Sequence, residues 1–401
     1  MIFMEFTAFS TVYAAAIAVS AFATVFLLEK ILAPAVVVHR ISALDGLRGF
    51  LVIGVFIHHA ANWYMNIKTG AWHNAPSKFY SNLGPACVAL FFMITAFLFY
   101  GKILRNGGQQ LDWLQIALSR ILRLVPLYIV MVFLIFCVAL TITDFTLVES
   151  PITLAKKFLM WAPAGLGTSE NINGLENSWK INSGVQWTLA YEWLFYLSLP
   201  TLALFAKFKP KWSIVLISLI LASAVAWRIF PMEKGPTFSF LGGIIGAYAI
   251  HNNRVVKLCR ESFSSIIAVA CSAAALFYVE NPFSGKGLVL LTAVFVIVAC
   301  GNSIFGLLTL KSIRSLGDMG YSVYLLHGIV LYVAFQGQVG ISSALVQHPV
   351  DYWMAVVGLT VPLVIICRFT FAYVELPAMN AAPRVYKFLK NTRFAASTSS
   401  R

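Results

Sequence analysis

The chain is 401 residues long, 60% hydrophobic and only 11% charged, with a mean hydropathy of +0.82. A soluble domain carries about 25% charged residues, so a soluble globular protein is excluded, and the length supplies about ten membrane spans of roughly 20 residues each. The excess of 29 Lys and Arg over 15 Asp and Glu, a net charge of +14, reads as loop charge on one side of a bilayer, with no nucleic-acid partner.

Eleven apolar runs follow one another, at about 6–28, 46–65, 83–101, 124–142, 187–206, 212–230, 237–251, 263–280, 287–305, 319–336 and 352–373. The expected fold is all-α, a polytopic transmembrane helix bundle of about 10–11 spanning helices. The run ending at Ile250 is short and contains Gly242, Gly243 and Gly246, which suits close helix packing. Lys and Arg gather in cytoplasmic loops. With the N-terminus outside, Lys30, Arg40, Arg48, Lys102, Arg105, Arg120, Arg123, Lys207, Lys209, Lys211, Arg254, Lys257, Arg260, Lys311, Arg314 and a basic tail ending in Arg393 and Arg401 fall on one side. Lys68, Lys78, Lys156, Lys157, Lys180, Arg228, Lys234 and Lys286 fall on the other, diluted by acids such as Asp144, Glu149 and Glu233. The pattern predicts a multi-pass protein of the inner (cytoplasmic) membrane, with the N-terminus outside and the C-terminus cytoplasmic.

The first run has no basic n-region and is too long for a signal-peptide core, so it is expected to remain as a helix. Residues 1–40 then form an extra N-terminal span and linker, 41–380 the membrane domain, and 381–401 a basic cytoplasmic tail. In the long outer segment 143–186, residues 155–161 read as a short interfacial amphipathic helix. The Gly-, Asn- and Ser-rich stretch 165–184 reads as a flexible loop. The six cysteines are scattered without metal-ligand spacing and read as packing residues; no metal is expected.

Ionisable residues inside spans are costly and mark function by default. Arg48 and His59 are separated by eleven steps, nearly three helical turns, so they share a face with His59 about 16 Å deeper. Asp45 is placed to pair with Arg48, and His58 is turned away by about 100°. A buried histidine is suited to deprotonate a hydroxyl. Arg120 and Arg123, at i and i+3 before Pro126, suit forked bonding to phosphates. Glu192 stands inside an apolar helix with Tyr196 one turn on, positioned to orient a histidine or bind a sugar. Ser322 and His327 share a later helix and are further polar candidates.

These residues resemble the acyltransferase-3 family of integral membrane O-acyltransferases, from Leu44 to Pro377. The matching pieces are Leu44-Asp45-Gly46-Leu47-Arg48-Gly49 with His59; Arg120 and Arg123 before Pro126; Trp187-Thr188-Leu189 with Glu192 and Phe195-Tyr196; Leu316-Gly317-Asp318 with Tyr321-Ser322 and Tyr324-Leu325-Leu326-His327; and Glu375-Leu376-Pro377. The resemblance implies about ten helices that move an acyl group, usually acetyl, from cytoplasmic acyl-CoA, the co-substrate, to a hydroxyl of a cell-surface or exported glycan or glycolipid. Arg48 and His59 match the family's essential Arg/His pair, and Arg120 and Arg123 its basic motif near the donor. Phe91-Phe92-Met93-Ile94-Thr95-Ala96-Phe97 departs from the family's Leu-Ser-Gly-Phe turn, and the extra first helix is unusual. The short basic tail resembles the stand-alone members without a fused esterase-like domain.

The expected reaction is O-acetylation of an envelope polysaccharide. His59 is the general base, Arg48 and Glu192 share the catalytic site, and Arg120, Arg123 and Arg48 hold acyl-CoA. The alternative is a proton-coupled transporter or flippase for a glycan or lipid, in which the buried His and Glu relay protons. Such a carrier has no need of a basic cluster at its inner mouth.

Overall fold

Each of the eleven apolar runs is a helix in the computed structural model, which describes residues 8–32, 42–106, 111–206, 210–229, 234–336 and 343–399. Arg40, Lys207, Lys209, Glu233 and Arg401 of the charge pattern, and the side chains of Arg228 and Arg393, lie outside the described residues. In chain order the helices are α1 (Thr11–Ile31), α2 (Ser42–Thr69), α3 (Lys78–Arg105), α4 (Trp113–Ile142), α5 (Pro151–Trp161), α6 (Trp187–Phe205), α7 (Trp212–Ile229) and α8 (Gly235–Ala249). Then come α9 (Asn253–Arg260), α10 (Ser262–Phe277), α11 (Gly285–Ala299), α12 (Lys311–Asp318), α13 (Gly320–Gln336), α14 (Pro349–Thr370) and α15 (Leu376–Ser399). Among the described residues there is no strand, only the isolated pair Ile172 and Leu175.

The molecule is an all-α transmembrane bundle. Five helices are long and apolar enough to cross a membrane alone, or seven when α9 with α10 and α12 with α13, bent by 78° and 75°, each count as one span. The remaining apolar helices are shorter, like the 15-residue α8 and α11, or carry an acid, like Glu192 in α6. They complete the bundle by packing on the long ones. On α8, a Cβ added to Gly243 would stand 2.1 Å from the Met93 carbonyl oxygen of α3, so the small residues set that approach.

Glycine also joins the two halves of the inner motif. A Cβ at Gly46 would meet the Leu308 carbonyl oxygen at 1.9 Å, and one at Gly317 would meet the Asp45 carbonyl oxygen at 1.9 Å. Only backbones without side chains can touch this closely. The contact sets the start of α2, with Asp45 and Arg48, directly on α12, with Asp318.

α1 is docked on the bundle. Tyr13 stacks on Trp353 of α14 with centroids 5.6 Å apart, and Ser20 Oγ donates to the Val357 carbonyl at 3.2 Å. α4 starts well before the apolar run it contains, because Asp112 caps it by accepting from the Gln115 amide at 3.0 Å. Arg120 and Arg123 therefore lie within the helix, on its second and third turns. Residues 381–399 lie on α15.

The 165–184 segment is not the flexible loop that its composition predicts. Asn173 is fully buried; its Oδ1 accepts from the Val148 amide at 2.9 Å and its Nδ2 donates to Thr143 Oγ1 at 2.7 Å and the Thr146 carbonyl at 2.8 Å. Farther on, Asn182 Nδ2 donates to Gln186 Oε1 at 2.7 Å, and Gln186 Nε2 to Ser169 Oγ at 2.8 Å. The polar side chains turn inward and satisfy loop backbone and one another, so the segment is braced. Its one-turn 3-10 helix, Ser178–Asn182, plugs one end of the bundle.

Candidate active site

At the end where α2, α4 and α12 begin, the helices leave a cavity lined by Arg48, Arg120 and Arg123, with Glu192, Tyr196, Tyr321 and Tyr324 and the rings of Phe91, Phe92 and Phe99. Arg48 Nη1 donates to Asp45 Oδ1 at 3.1 Å, so the i−3 carboxylate holds it at the mouth. The Arg120 guanidinium lies over the Phe99 ring, 4.8 Å from its centroid, with Tyr196 on the same cavity wall. The Tyr196 hydroxyl in turn donates to Glu192 Oε2 at 2.8 Å. The Nε donor of Arg120 is buried with no hydrogen-bond partner. A buried charged donor left without a partner is costly.

Behind the arginines, a π turn at Phe371–Glu375 delivers a fully buried acid. Glu375 Oε2 accepts from Ser322 Oγ at 3.1 Å, and its Oε1 has no partner.

Toward the middle of the bundle stand three histidines. His58 is occupied on both nitrogens: Nδ1 donates to the Tyr80 carbonyl at 2.8 Å, and Nε2 accepts from Asn62 Nδ2 at 3.2 Å. His59 Nδ1 is 2.9 Å from His327 Nε2, with the two rings stacked at 5.0 Å. His327 Nδ1 is 3.0 Å from the Val323 carbonyl. A carbonyl oxygen only accepts, so that nitrogen carries the hydrogen, and in neutral His327 Nε2 is a lone pair. It accepts from His59 Nδ1–H. The lone pair of His59 is thereby fixed on Nε2, the atom a general base uses. His59 alone of the three keeps appreciable accessible surface; His327 is fully buried and His58 is 8% exposed.

One turn of α13 separates His327 from Tyr324, whose ring lies 6.2 Å from it and forms part of the cavity wall. The Tyr324 hydroxyl is 2.7 Å from Thr188 Oγ1 and donates to the Val185 carbonyl at 3.1 Å. The plug rests against the same pair of helices. Trp63 Nε1 donates to Ser183 Oγ at 3.4 Å, and a Cβ at Gly328 would lie 2.2 Å from the Asn182 carbonyl carbon.

The structure thus gathers Asp45, Arg48, Arg120, Arg123 and Glu192 at one end and His59 with His327 deeper. Glu192 stands with the arginines, and the group on the His59 imidazole is His327. His58 is a braced packing residue, and Ser322 serves Glu375. Sequence reasoning gave Glu375, Tyr324 and Thr188 no part in the site, although all three fall within the matching motifs. Among the described residues no three of His, Cys, Asp and Glu come together as metal ligands would.

Comparison with known proteins gives matches to one family. Its acyltransferase-domain profile matches residues 41–369. The O-acetyltransferases OatA of Staphylococcus aureus strains MRSA252, NCTC 8325 / PS 47 and COL are each 24% identical over 416 aligned positions, covering 92% of this chain and 62% of the relative. The chain therefore spans less than two thirds of the length of these relatives. No solved structure matches.

Proposed function

The chain belongs to the acyltransferase-3 family, and from that membership we propose a membrane-embedded O-acyltransferase that moves an acyl group, acetyl in this reading, from cytoplasmic acyl-CoA to a hydroxyl of a cell-surface or exported glycan. The observation that carries it is the arginine-mouthed cavity whose wall, at Tyr324, adjoins the His59–His327 pair. The O-acetyltransferase relatives support acetyl as the group. The charge pattern supports a cytoplasmic arginine end, with α1 as an extra span ahead of the matched region and residues 381–401 on the cytoplasmic side.

In this reading the phosphates of CoA meet Arg120 and Arg123, with Arg48 as the third charge, through forked charge-assisted hydrogen bonds. The thioester reaches past Phe91 and Tyr324 toward His59. Nε2 of His59 takes the proton of the acceptor hydroxyl as its oxygen attacks the thioester carbonyl. The tetrahedral intermediate collapses and expels the CoA thiolate, which takes the proton from the imidazolium. His327 fixes the tautomer throughout. Glu192 and Tyr196 share the cavity wall with the Arg120 head. A two-step route that first acylates His59 uses the same lone pair.

The test is transfer from radiolabelled acetyl-CoA into the glycan and lipid fractions of membranes carrying the protein, beside membranes carrying His59→Ala at equal level. Label in the glycan fraction only with the intact protein is expected. Equal label with His59→Ala removes His59 from the chemistry. Binding of acetyl-CoA that is lost in Arg120→Ala and Arg123→Ala separates an acyltransferase from a proton-coupled carrier.

A further inference from the structure

A second pocket opens at the end of the bundle opposite Arg48, between α2, the plug and α13, with Asn66, Glu176, Asn177, Lys180 and Tyr332 in its lining. Lys180 Nζ donates to Asn66 Oδ1 at 3.1 Å. That contact leaves the Asn66 amide hydrogens to donate elsewhere. Glu176 and Asn177 are exposed at the rim.

Aromatic rings lead inward beside it. Trp179 meets Trp72 edge-on at 5.7 Å, Trp72 meets Trp63 at 5.3 Å, and Trp63 meets Tyr332 at 5.6 Å. The two outer rings are partly exposed; Trp63 is fully buried and Tyr332 is 5% exposed.

The lining chemistry selects a ligand class. One lysine beside one glutamate gives a nearly balanced charge, unlike the three arginines of the other cavity, so a polyphosphate has no matching counter-charge here. Amides and a carboxylate at the rim are suited to neighbouring hydroxyls, and a partly exposed indole offers a flat apolar face to the C–H side of a sugar ring. The position points the same way. Asn66 is seven residues from His59, on the same face of α2 and about 10 Å farther along it. The two helices that carry the histidine pair also frame this pocket.

We infer that this pocket is the docking site of the acceptor glycan, which enters opposite to acyl-CoA and presents its hydroxyl to His59 Nε2. The inference rests on the acyltransferase reading above. The Asn182–Ser183 tip, bonded to Trp63 and packed on Gly328, stands between pocket and histidines. The pocket therefore holds the body of the glycan on the far side of that tip from the histidines.

The experiment uses the full chain in membranes, with the delipidated glycan fraction of the host envelope added in increasing amounts and radiolabelled acetyl-CoA as donor. Asn66→Ala, Glu176→Gln and Trp179→Ala are compared with Tyr278→Ala, a control at an exposed aromatic outside the pocket. Acetyl-CoA binding unchanged in all variants reports an intact fold and donor site. The expected result is at least a tenfold rise in the half-saturating glycan amount for Asn66→Ala and Glu176→Gln in the pocket and for Trp179→Ala beside it, with the control unchanged. Wild-type transfer with an unchanged half-saturating amount in Asn66→Ala and Glu176→Gln overturns the docking site and leaves the acyltransferase standing. Absence of both acetyl-CoA binding and transfer in the wild type overturns the reading beneath it, and the docking site with it.

Discussion

His327 Nε2 accepts from His59 Nδ1 at 2.9 Å across 268 positions of sequence, and the Val323 carbonyl behind it leaves only one tautomer for the pair. On the proposed role of His59, this contact assigns His327 to positioning, which predicts a graded result. With His59 as the proposed base, His59→Ala costs about 10²–10⁴-fold in transfer rate. His327→Ala leaves the base present but unoriented, so the loss is smaller. His327→Gln, whose amide oxygen can accept the Nδ1–H, recovers part of it. Initial rates of acetyl transfer at saturating acetyl-CoA check the order, and equal loss in His327→Gln and His327→Ala would sink the relay.

The α2–α12 junction predicts a second effect. A methyl group at Gly317 would sit 1.9 Å from the Asp45 carbonyl oxygen, backbone that cannot swing aside. Gly317→Ala forces the helices apart at a cost of about 1–3 kcal/mol, and it displaces Arg48, held through Asp45, from the cavity mouth. Gly285 has nothing within 4 Å of its added Cβ, so Gly285→Ala serves as the control. Thermal unfolding in detergent and acetyl-CoA affinity, measured together, should both fall for Gly317→Ala alone.

What the sequence made legible was what is local along a helix. Eleven apolar runs became eleven helices, and the spacing of Arg48 and His59 placed them on one face of α2 because a single helix carries both. The partner of His59 was not legible, since no periodicity links it to a residue on α13. Glu192 looked like a partner for the histidine because both are buried and ionisable; only the fold shows it bonded by Tyr196 on the cavity wall that carries Arg120. Glu375 gained its place from a π turn that no pattern of apolar residues announces.

The braced segment is the plainest case of composition misleading, and it predicts a loss of order on mutation. Asn173 makes its bonds to Thr143, Thr146 and Val148 from a fully buried position. A polar residue that faces solvent and one that satisfies buried backbone look alike in sequence. Asn173→Ala removes its bonds to the Val148 amide and the Thr146 carbonyl, at about 0.5–1.5 kcal/mol for each hydrogen bond lost. Limited proteolysis and hydrogen exchange should then show residues 165–184 opening while α2 and α3 stay protected. Unchanged protection would mean that the segment is held by its apolar contacts instead.

The arginine mouth gives the last prediction, because Arg120 does three things that a lysine cannot do together. It stacks on Phe99, shares the cavity wall with Tyr196 and Glu192, and carries a buried Nε donor without a partner. Lysine retains the charge but presents a compact point donor without the planar fork. If the charge alone attracted the phosphates of CoA, Arg120→Lys would be nearly silent; if geometry matters, affinity falls about tenfold, the equivalent of about 1.4 kcal/mol. Raising salt weakens exposed electrostatic contacts far more than buried ones. Titrations of acetyl-CoA at low and high ionic strength should therefore show Arg120→Lys weaker than wild type at both, with the gap between them preserved. Binding of Arg120→Lys as tight as wild type at both ionic strengths would assign Arg120 to charge attraction and leave the fork without a role.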